Sequence, residues 1–269
     1  MNSATLEKNF AKIGARVEVK EPKNRVRSPN TGVSVKVEGT GRNEHFVLEV
    51  GKDFKGEIHT LDVQPQDRHM ILQIVHNPGD NSRMALAPEK FLVGHDEMHF
   101  FAASVGRAVT KVRDAKEHLM PTRIKDHVLK VDLRKKDKFK RRNEAFLRQG
   151  EWFFVPRKNM TVDKKYILHN EPLIRDRQSK PHIMSECYRV GGTNVWVYLN
   201  RVLTETQFKH LYKTNPEDSK KYRQMRRNPQ VFCRGKIKHA DHHTLELGNV
   251  WHEVAMNSEF RSASLGFLD

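Results

Sequence analysis

Histidines and an aspartate cluster around one predicted turn in the C-terminal half of the chain. In the segment VFCRGKIKHADHHTLELGNVWHEVAMN, Val231–Asn257, the pattern predicts a strand up to His239, a turn at Asp241, a returning strand from His242 and a short third strand. Alternation along the first strand places His239 on its apolar face, towards the core or a pocket. Imidazoles beside a carboxylate can bind a divalent metal ion or exchange protons near pH 7. His239, Asp241 and His242 are therefore candidate catalytic residues, and the alternative is an ordinary turn with locally satisfied polar side chains.

A second polar group lies in the sequence GHDEMH, residues 94–99. His95 and His99 have the spacing of a helical zinc motif, but the glutamate is in the third place and the preceding FLVG is strand-like. We predict a hairpin whose loop, Gly94–Met98, lets His95, Asp96 and His99 act as ligands or acid–base groups. The alternative is a solvated polar loop. The two groups form one site if the fold brings them together.

Positive charge is the clearest global feature. The net charge of +16 and the pI of about 9.9 predict a positive surface potential that favours polyanions: RNA, DNA or anionic lipid. Lys and Arg neutralise phosphates and release counterions, which makes affinity salt-dependent. The residues predicted to contact nucleic acid are Arg134, Lys135, Lys136, Lys138, Lys140, Arg141, Arg142, Arg223, Arg226, Arg227, Arg234, Lys236 and Lys238. The alternative is a solvated charged face.

Aromatic residues near the basic segments would stack on bases if they are exposed. The candidates are Phe139, Phe146, Trp152, Phe153, Tyr222 and Trp251. The consecutive run Trp152–Phe154 lies in one short strand-like segment, which favours a place in the core.

The N-terminal half is predicted to be rich in strands. Residues 4–14 form a short helix with Leu6, Phe10 and Ile13 on one face. From Val33, short alternating runs separated by Gly, Asn, Asp and Pro predict an antiparallel sheet or a small barrel. Residues 110–120 form a helix that ends before Pro121.

The C-terminal half is predicted to mix helices and strands. The basic residues 134–147 allow only a surface helix, which Gly150 ends. A capping box begins a helix at Thr204, whose buried face is Phe208, Leu211 and Tyr212, and a further helix runs from Asn215 to residue 227. The predicted class is therefore α+β, mainly antiparallel sheet or a small barrel with a few surface helices. Two halves, 1–121 and 122–269, are the predicted domains, and one continuous domain is the alternative.

Several classes are excluded by what the sequence lacks. There is no GxxxxGK[ST] loop, GxSxG elbow or strand-bound GxGxxG motif, which disfavours kinases, nucleotide-dependent dehydrogenases and serine hydrolases. Cys187 and Cys233 are not in a CxxC pair, which excludes a thiolate zinc site and predicts two buried thiols in a reducing compartment. No signal-peptide core and no apolar run of about 20 residues is present, so a cytoplasmic protein without a membrane span is expected.

Five motifs, in order, resemble a family of uncharacterised bacterial proteins. They are DFKGEIHTLDVQPQDRHMILQI, FLVGHDEMHFFAASV, RQGEWFFVP, RNPQVFCRGKIKHADHHTLEL and VWHEV. The resemblance covers most of the chain. It implies a bacterial or mobile-element origin and no catalytic residue, cofactor or substrate.

Three functions remain open. The first is a protein that binds RNA or DNA through its basic segments, with steeply salt-dependent affinity. The second is a metal- or histidine-dependent phosphodiesterase or nuclease, with a divalent metal ion as candidate cofactor and the two His/Asp groups in one pocket. The third is a non-catalytic accessory factor for an acidic protein partner.

Overall fold

The computed structural model describes residues 3–22, 32–76, 87–175, 180–199 and 201–259. Strands account for 49% of the described residues and helices for 20%, so the predicted α+β class with mainly antiparallel sheets is confirmed. The described strands form four open sheets, each with two edge strands. Of the two predicted arrangements, the sheet is therefore observed rather than the small barrel. No described helix has the length and apolarity needed to cross a membrane.

The chain divides into two compact units, with the boundary inside a helix between Asp126 and His127. Unit 1 holds the described residues up to Asp126 together with 257–259, and unit 2 holds residues 127–256. Unit 1 contains α1 (Ser3–Lys12), β1 (Val17–Lys20), β2 (Val33–Glu38), a 3-10 turn (Gly41–Asn43), β3 (His45–Val50), β4 (Gly56–Gln64), β5 (His69–His76), β6 (Glu89–Asp96), β7 (His99–Val105) and α2 (Val112–Leu119). Helix α3 (Thr122–Val131) carries the boundary.

Two layers of apolar side chains cover the antiparallel sheet β4–β7 of unit 1. On one face, Phe10 of α1 and Phe46 of β3 belong to the same cluster as Met70 and Leu72 of β5. On the other face, Ile71 packs with Val112, Ala115 and Leu119 of α2. Because both faces are covered, β5 reads as a continuous apolar run rather than an alternating one. The predicted apolar face of the N-terminal helix is confirmed, because Leu6, Phe10 and Ile13 are buried, and the predicted helix before Pro121 is α2.

Unit 2 is built on a six-stranded antiparallel sheet of order β10-β11-β15-β16-β9-β8 and a small sheet of order β13-β12-β14. Its elements are β8 (Leu147–Gln149), β9 (Trp152–Arg157), a 3-10 turn (Lys164–Tyr166), β10 (Leu168–Leu173), β11 (His182–Val190), β12 (Thr193–Tyr198), β13 (Arg201–Thr204), α4 (Glu205–Thr214), α5 (Pro216–Ser219), β14 (Arg223–Arg227), β15 (Gln230–His239) and β16 (His242–Met256). Apolar residues from all six strands of the large sheet share one core.

Strand β16 bends back on itself. Its last residue, Met256, pairs with Trp152 at the start of β9, while Gln149, which pairs with the same Trp152, donates a 2.6 Å hydrogen bond to the carbonyl of His243 near the start of β16. Thirteen residues of straight strand would separate these ends by about 40 Å. The bend lies where Gly235 of β15 faces Gly248 of β16, both with positive φ, and where β16 has extra residues relative to β15.

The predictions for the basic segments and for α4 need correction. Residues 134–146 form turns and bends rather than a surface helix, Leu147 begins β8, and Gly150 lies in the turn between β8 and β9. The helix from Asn215 ends at Ser219, and Arg223–Arg227 form strand β14 because they pair with β12. The Thr204 capping box is confirmed, but Tyr212 is 61% exposed and α4 buries no residue fully.

Two strand boundaries also differ from the sequence prediction. The β6–β7 turn is the two residues Glu97 and Met98, since Asp96 pairs with His99. The predicted third strand near Trp251 is the second half of β16.

The shared core of unit 2 gives a stability prediction. Phe154→Ala should lower the free energy of unfolding of unit 2 by about 3–5 kcal/mol, because Phe154 is fully buried in the sheet. Tyr212→Ala, the same truncation at an exposed aromatic, should change it by less than about 0.5 kcal/mol. Urea unfolding followed by far-UV circular dichroism measures both, and equal midpoints for the two variants would contradict the assigned core.

Candidate functional site

Three histidines lie side by side at one end of the six-stranded sheet. His239 closes β15 and pairs with His242, the first residue of β16. His182 opens β11, one residue before Ile183, which pairs with Lys238, so the register places His182 beside His239. The predicted orientation of His239 is confirmed, because Val231, Cys233 and Ile237 on its face of β15 are buried. The sequence prediction missed His182.

The ring of His182 stacks on those of His239 and His242, which are tilted by 33° to each other. The centroid of His182 lies 4.1 Å from that of His239 and 5.7 Å from that of His242, and the ring planes differ by 25° and 22°. His182 is 3% exposed, and its Nε2 has no hydrogen-bond partner among the described residues. Burial, and then the nearby rings of His239 and His242, lower the pKa of His182 to about 3, so the ring is neutral at pH 7.

One potential ligand atom from each of these histidines lies within 4.8 Å of the others. The cluster could therefore hold a metal ion. The predicted residue Asp241 has a different partner: its carboxylate accepts a 2.6 Å hydrogen bond from the ammonium of Lys180. Its backbone N–H donates to Nδ1 of His239 at 3.1 Å, so Asp241 orients that ring from the turn.

The second predicted group, His95, Asp96 and His99, lies on the β6–β7 hairpin of unit 1, whereas the histidine cluster lies in unit 2. His99 Nδ1 is 2.9 Å from a carboxylate oxygen of Glu44, which is almost fully buried and also accepts from the backbone N–H of Phe100. The ring of His95 packs edge-on against Phe100. In the described part of the chain, this hairpin does not bring three histidine, cysteine or acidic ligand atoms together.

Many of the predicted nucleic-acid contacts are occupied by acidic neighbours. Asp137 pairs with both Arg134 and Lys140, which lowers the pKa of its carboxyl. Arg234 pairs with Glu186 and lies 4.8 Å above the ring of Trp251. Lys236 pairs with Glu246, and Arg226 donates to the carbonyl of Gly191. Five of the predicted contacts, Lys135, Lys136, Arg142, Arg223 and Lys238, are exposed and have neither an ion pair nor a side-chain hydrogen bond with the described residues. The exposed Lys158 likewise has no such partner in the described part of the chain.

The outer face of the large sheet carries a row of aromatic side chains that the sequence prediction did not include. Tyr166 is 56% exposed and its ring lies 6.5 Å from that of half-buried Tyr188. Tyr188 pairs across the strands with Phe232, at 6.1 Å between ring centroids. Phe232 shares its face of β15 with Lys236 and Lys238, so the aromatic row meets the predicted basic face of that strand.

A groove of about 840 Å³ continues from this row. Phe232, Pro156 and Met160 supply apolar walls, and Arg157, Lys158 and His127 supply nitrogen donors. Arg157 is held by a salt bridge to Glu253, whose side chain is almost fully buried. Burial, and then the nearby Arg157 cation, lower the pKa of His127, which favours its neutral form.

The aromatic residues named from the sequence are mostly unavailable for stacking on a ligand. Phe146, Trp152, Phe153, Tyr222 and Trp251 are between 1% and 6% exposed. The core assignment of Trp152–Phe154 is confirmed, and of the six candidates Phe139 alone is half-exposed. Cys187 and Cys233 are neighbours across β11 and β15, and burial raises the pKa of both thiols, as expected for inert core cysteines.

The positive charge is distributed unevenly along the chain. Residues 127–256 hold 28 of the 49 Lys and Arg but 14 of the 33 Asp and Glu, a net charge of +14, whereas residues 1–126 hold 20 and 17, a net charge of +3. The excess positive charge therefore lies mainly in unit 2, which also carries the aromatic row.

Comparison with protein-family models, with curated proteins and with solved structures finds no match to this chain. The resemblance to a family of uncharacterised bacterial proteins stays an expectation from the sequence.

The stability of unit 1 should depend on pH through His69, the first residue of β5, which pairs with Gly94 of β6. Burial, and then the Lys116 cation, lower the pKa of His69 from 6.5 to about 4. Between these values the unfolded chain binds more protons than the folded one, so unit 1 loses stability as the pH falls from about 6.5 towards 4, by at most about 1.4 kcal/mol per pH unit. His69→Leu should remove that part of the slope.

The pH dependence of the stability of unit 1 is measured by urea unfolding at pH 7.5 and at pH 5. Hydrogen–deuterium pulse labelling of the β5 amides reports the unfolding. Met98→Leu changes an exposed residue of the β6–β7 turn that does not titrate, and it should leave the slope as in the wild type. A slope that His69→Leu leaves unchanged would show that His69 already titrates normally in the folded chain.

Proposed function

We propose that unit 2 binds single-stranded nucleic acid across the outer face of its six-stranded sheet. The observation that carries this proposal is the row of Tyr166, Tyr188 and Phe232, spaced by 6.5 and 6.1 Å and ending at a groove with cationic side chains. Exposed rings on a sheet face stack on bases, and bases are available for such stacking when the strand is unpaired.

Charge alone supports only a non-specific attraction to polyanions. A net charge of +14 on residues 127–256 attracts any polyanion, including duplex DNA and acidic proteins. The aromatic row favours nucleic acid over other polyanions, because aromatic side chains can stack on bases. Lys158 at the groove and Lys238 on β15 are exposed cations beside this path and would contact phosphates.

The predicted basic segments take a different part in this proposal. Residues 134–142 form turns in which Asp137 neutralises two of the cations, which leaves Lys135, Lys136 and Arg142 as exposed attractors of phosphate. Such residues raise the association rate and the affinity without reading bases.

The aromatic row can be tested by single substitutions. Tyr166→Ala and Tyr188→Ala should each weaken binding of a fluorescent single-stranded oligonucleotide by about 5- to 150-fold, since one stacked base contributes about 1–3 kcal/mol. Tyr212→Ala removes an exposed tyrosine of α4, outside the row, and should leave the affinity within twofold. Fluorescence anisotropy measures the affinities of RNA and DNA oligonucleotides.

The same titrations at several salt concentrations separate stacking from charge. Lys158→Ala should reduce the slope of log affinity against log salt by about 0.7, the value for one phosphate contact on a single strand. The tyrosine variants should keep the wild-type slope. Equal binding of duplex and single strand by all variants would refute the stacking role and leave only a charge effect.

The histidine cluster favours a second candidate, a metal-dependent phosphodiesterase. His239 and His242, two of the predicted catalytic residues, belong to the cluster, and a three-histidine site can activate water when it holds a zinc-like ion. We expect hydrolysis of bis(p-nitrophenyl) phosphate with added Zn²⁺ or Mn²⁺, and its loss in His242→Gln. Absence of turnover by the folded wild type with either metal would reject the enzyme and leave the binding proposal intact.

A further inference from the structure

Three strand ends meet at the histidine cluster, and each contributes one imidazole. His182 comes from the start of β11, His239 from the end of β15 and His242 from the start of β16. A buried imidazole nitrogen normally has a hydrogen-bond partner. His182 Nε2 has none among the described residues, although the atom is completely buried. The site therefore presents a buried imidazole nitrogen that a ligand could use.

The distances fit a small ion after a modest rearrangement. Nitrogen ligands about 2.0–2.1 Å from a tetrahedral zinc ion are about 3.3 Å apart. The potential ligand atoms here lie within 4.8 Å of one another, so they must close by at most about 1.5 Å. The stacked rings must also turn, because a metal ion lies in the plane of each imidazole that binds it. His239 and His242 are half-buried, so the rotation falls to them, whereas His182 is buried in the core.

The hydrogen bonds of His239 resemble those of a metal ligand. Its Nε2 lies 3.2 Å from the carbonyl of Lys180, and its Nδ1 accepts from the N–H of Asp241, which places the ring proton on Nε2. Metal-binding histidines commonly donate their other N–H to a backbone carbonyl in this way. Nδ1 would then exchange the N–H of Asp241 for the ion, while the contact with Lys180 holds the ring.

Gly150, in the turn between β8 and β9, lies beside His242. A Cβ atom at this position would make an ordinary contact with Nε2 of His242, at 3.5 Å. Gly150 has φ +54°, so it is the residue type that this turn favours. The β8–β9 turn is therefore the part of the chain next to the His242 side of the cluster.

We propose that His182, His239 and His242 bind one divalent ion of the zinc class. Three imidazoles without a carboxylate or thiolate select Zn²⁺, Co²⁺, Ni²⁺ or Cu²⁺ over Mg²⁺ and Ca²⁺, which prefer oxygen ligands. Three protein ligands leave the fourth tetrahedral position open to water or to a ligand anion. The ion bridges β11 and the β15–β16 hairpin and so stabilises the six-stranded sheet of unit 2. This proposal does not depend on nucleic-acid binding.

The test uses the full-length chain, without a histidine tag and stripped of metal with EDTA. Titration with Co²⁺ should give the visible absorption of a low-coordinate site, saturating at one ion per chain, and Zn²⁺ should displace it. His242→Gln should weaken Co²⁺ binding by more than about tenfold, since loss of even an outer-shell partner of a metal costs 10- to 100-fold in affinity. Zn²⁺ should raise the Tm of the wild type and not that of His242→Gln.

His243→Gln is the matched control. His243 follows His242 in β16, points to the opposite side of the strand and is exposed. It should bind Co²⁺ as the wild type does. His182→Phe should also lose the absorption, and circular dichroism will show whether this core variant folds; the half-buried His242 decides the question in either case.

Four outcomes would overturn the proposal. Three of them are no saturable Co²⁺ absorption in the wild type, equal loss of binding in His243→Gln and His242→Gln, and retention of the full absorption in folded His242→Gln. Displacement of Co²⁺ by millimolar Mg²⁺ alone would also contradict a nitrogen-ligand site.

Discussion

The fold of unit 2 depends on one bend in the β15–β16 hairpin. Gly235 and Gly248 face each other there with φ of +80° and +67°, values that residues with a Cβ rarely adopt. A Cβ at Gly235 would also lie 3.2 Å from Cβ of Ser185 on the neighbouring strand. Because β16 can turn at this point, both of its ends reach the β8–β9 turn and the six strands enclose a single core.

The bend gives the two faces of the sheet different properties. On the inside, the apolar core ends at the three histidines, and the strand register stacks their rings. On the outside, Phe232 lies beside Tyr188, and the lysines of β15 extend along the same face. One strand, β15, thus contributes to the core, to the histidine cluster and to the proposed binding face, because alternate side chains point in opposite directions.

Ion pairs reduce the number of cations available to a ligand. Asp137, Glu186 and Glu246 hold four of the residues that were predicted to contact nucleic acid. Such pairs at exposed positions contribute little to stability, but they lower the local positive potential. We therefore assign the proposed binding to the aromatic row and the groove rather than to the total charge.

Local patterns in the sequence were sufficient to predict several elements. The apolar spacing of α2, the capping box at Thr204 and the alternation of β15 all depend on residues close together in the chain. Long-range pairing was not predictable in the same way. Residues 223–227 follow a helix start in sequence, yet they form a strand because β12 offers them hydrogen bonds.

The two most informative features also depend on long-range pairing. His182 reaches His239 through the register of β11 with β15, and its sequence context, a proline followed by a strand, carries no sign of a ligand. Tyr166, Tyr188 and Phe232 come from three separate segments, so no local motif could indicate that they form a row. In contrast, the basic face of β15 was visible from alternation alone.

The most direct test of the binding account is ultraviolet crosslinking of the unmodified chain to a single-stranded oligonucleotide, followed by mass-spectrometric mapping of the crosslinked peptides. Crosslinks at Tyr166, Tyr188 or Phe232 are expected, because a stacked ring lies in contact with a base. Crosslinks confined to residues 134–142 or to unit 1, or none at moderate salt, would contradict the assignment of the outer sheet face as the binding surface.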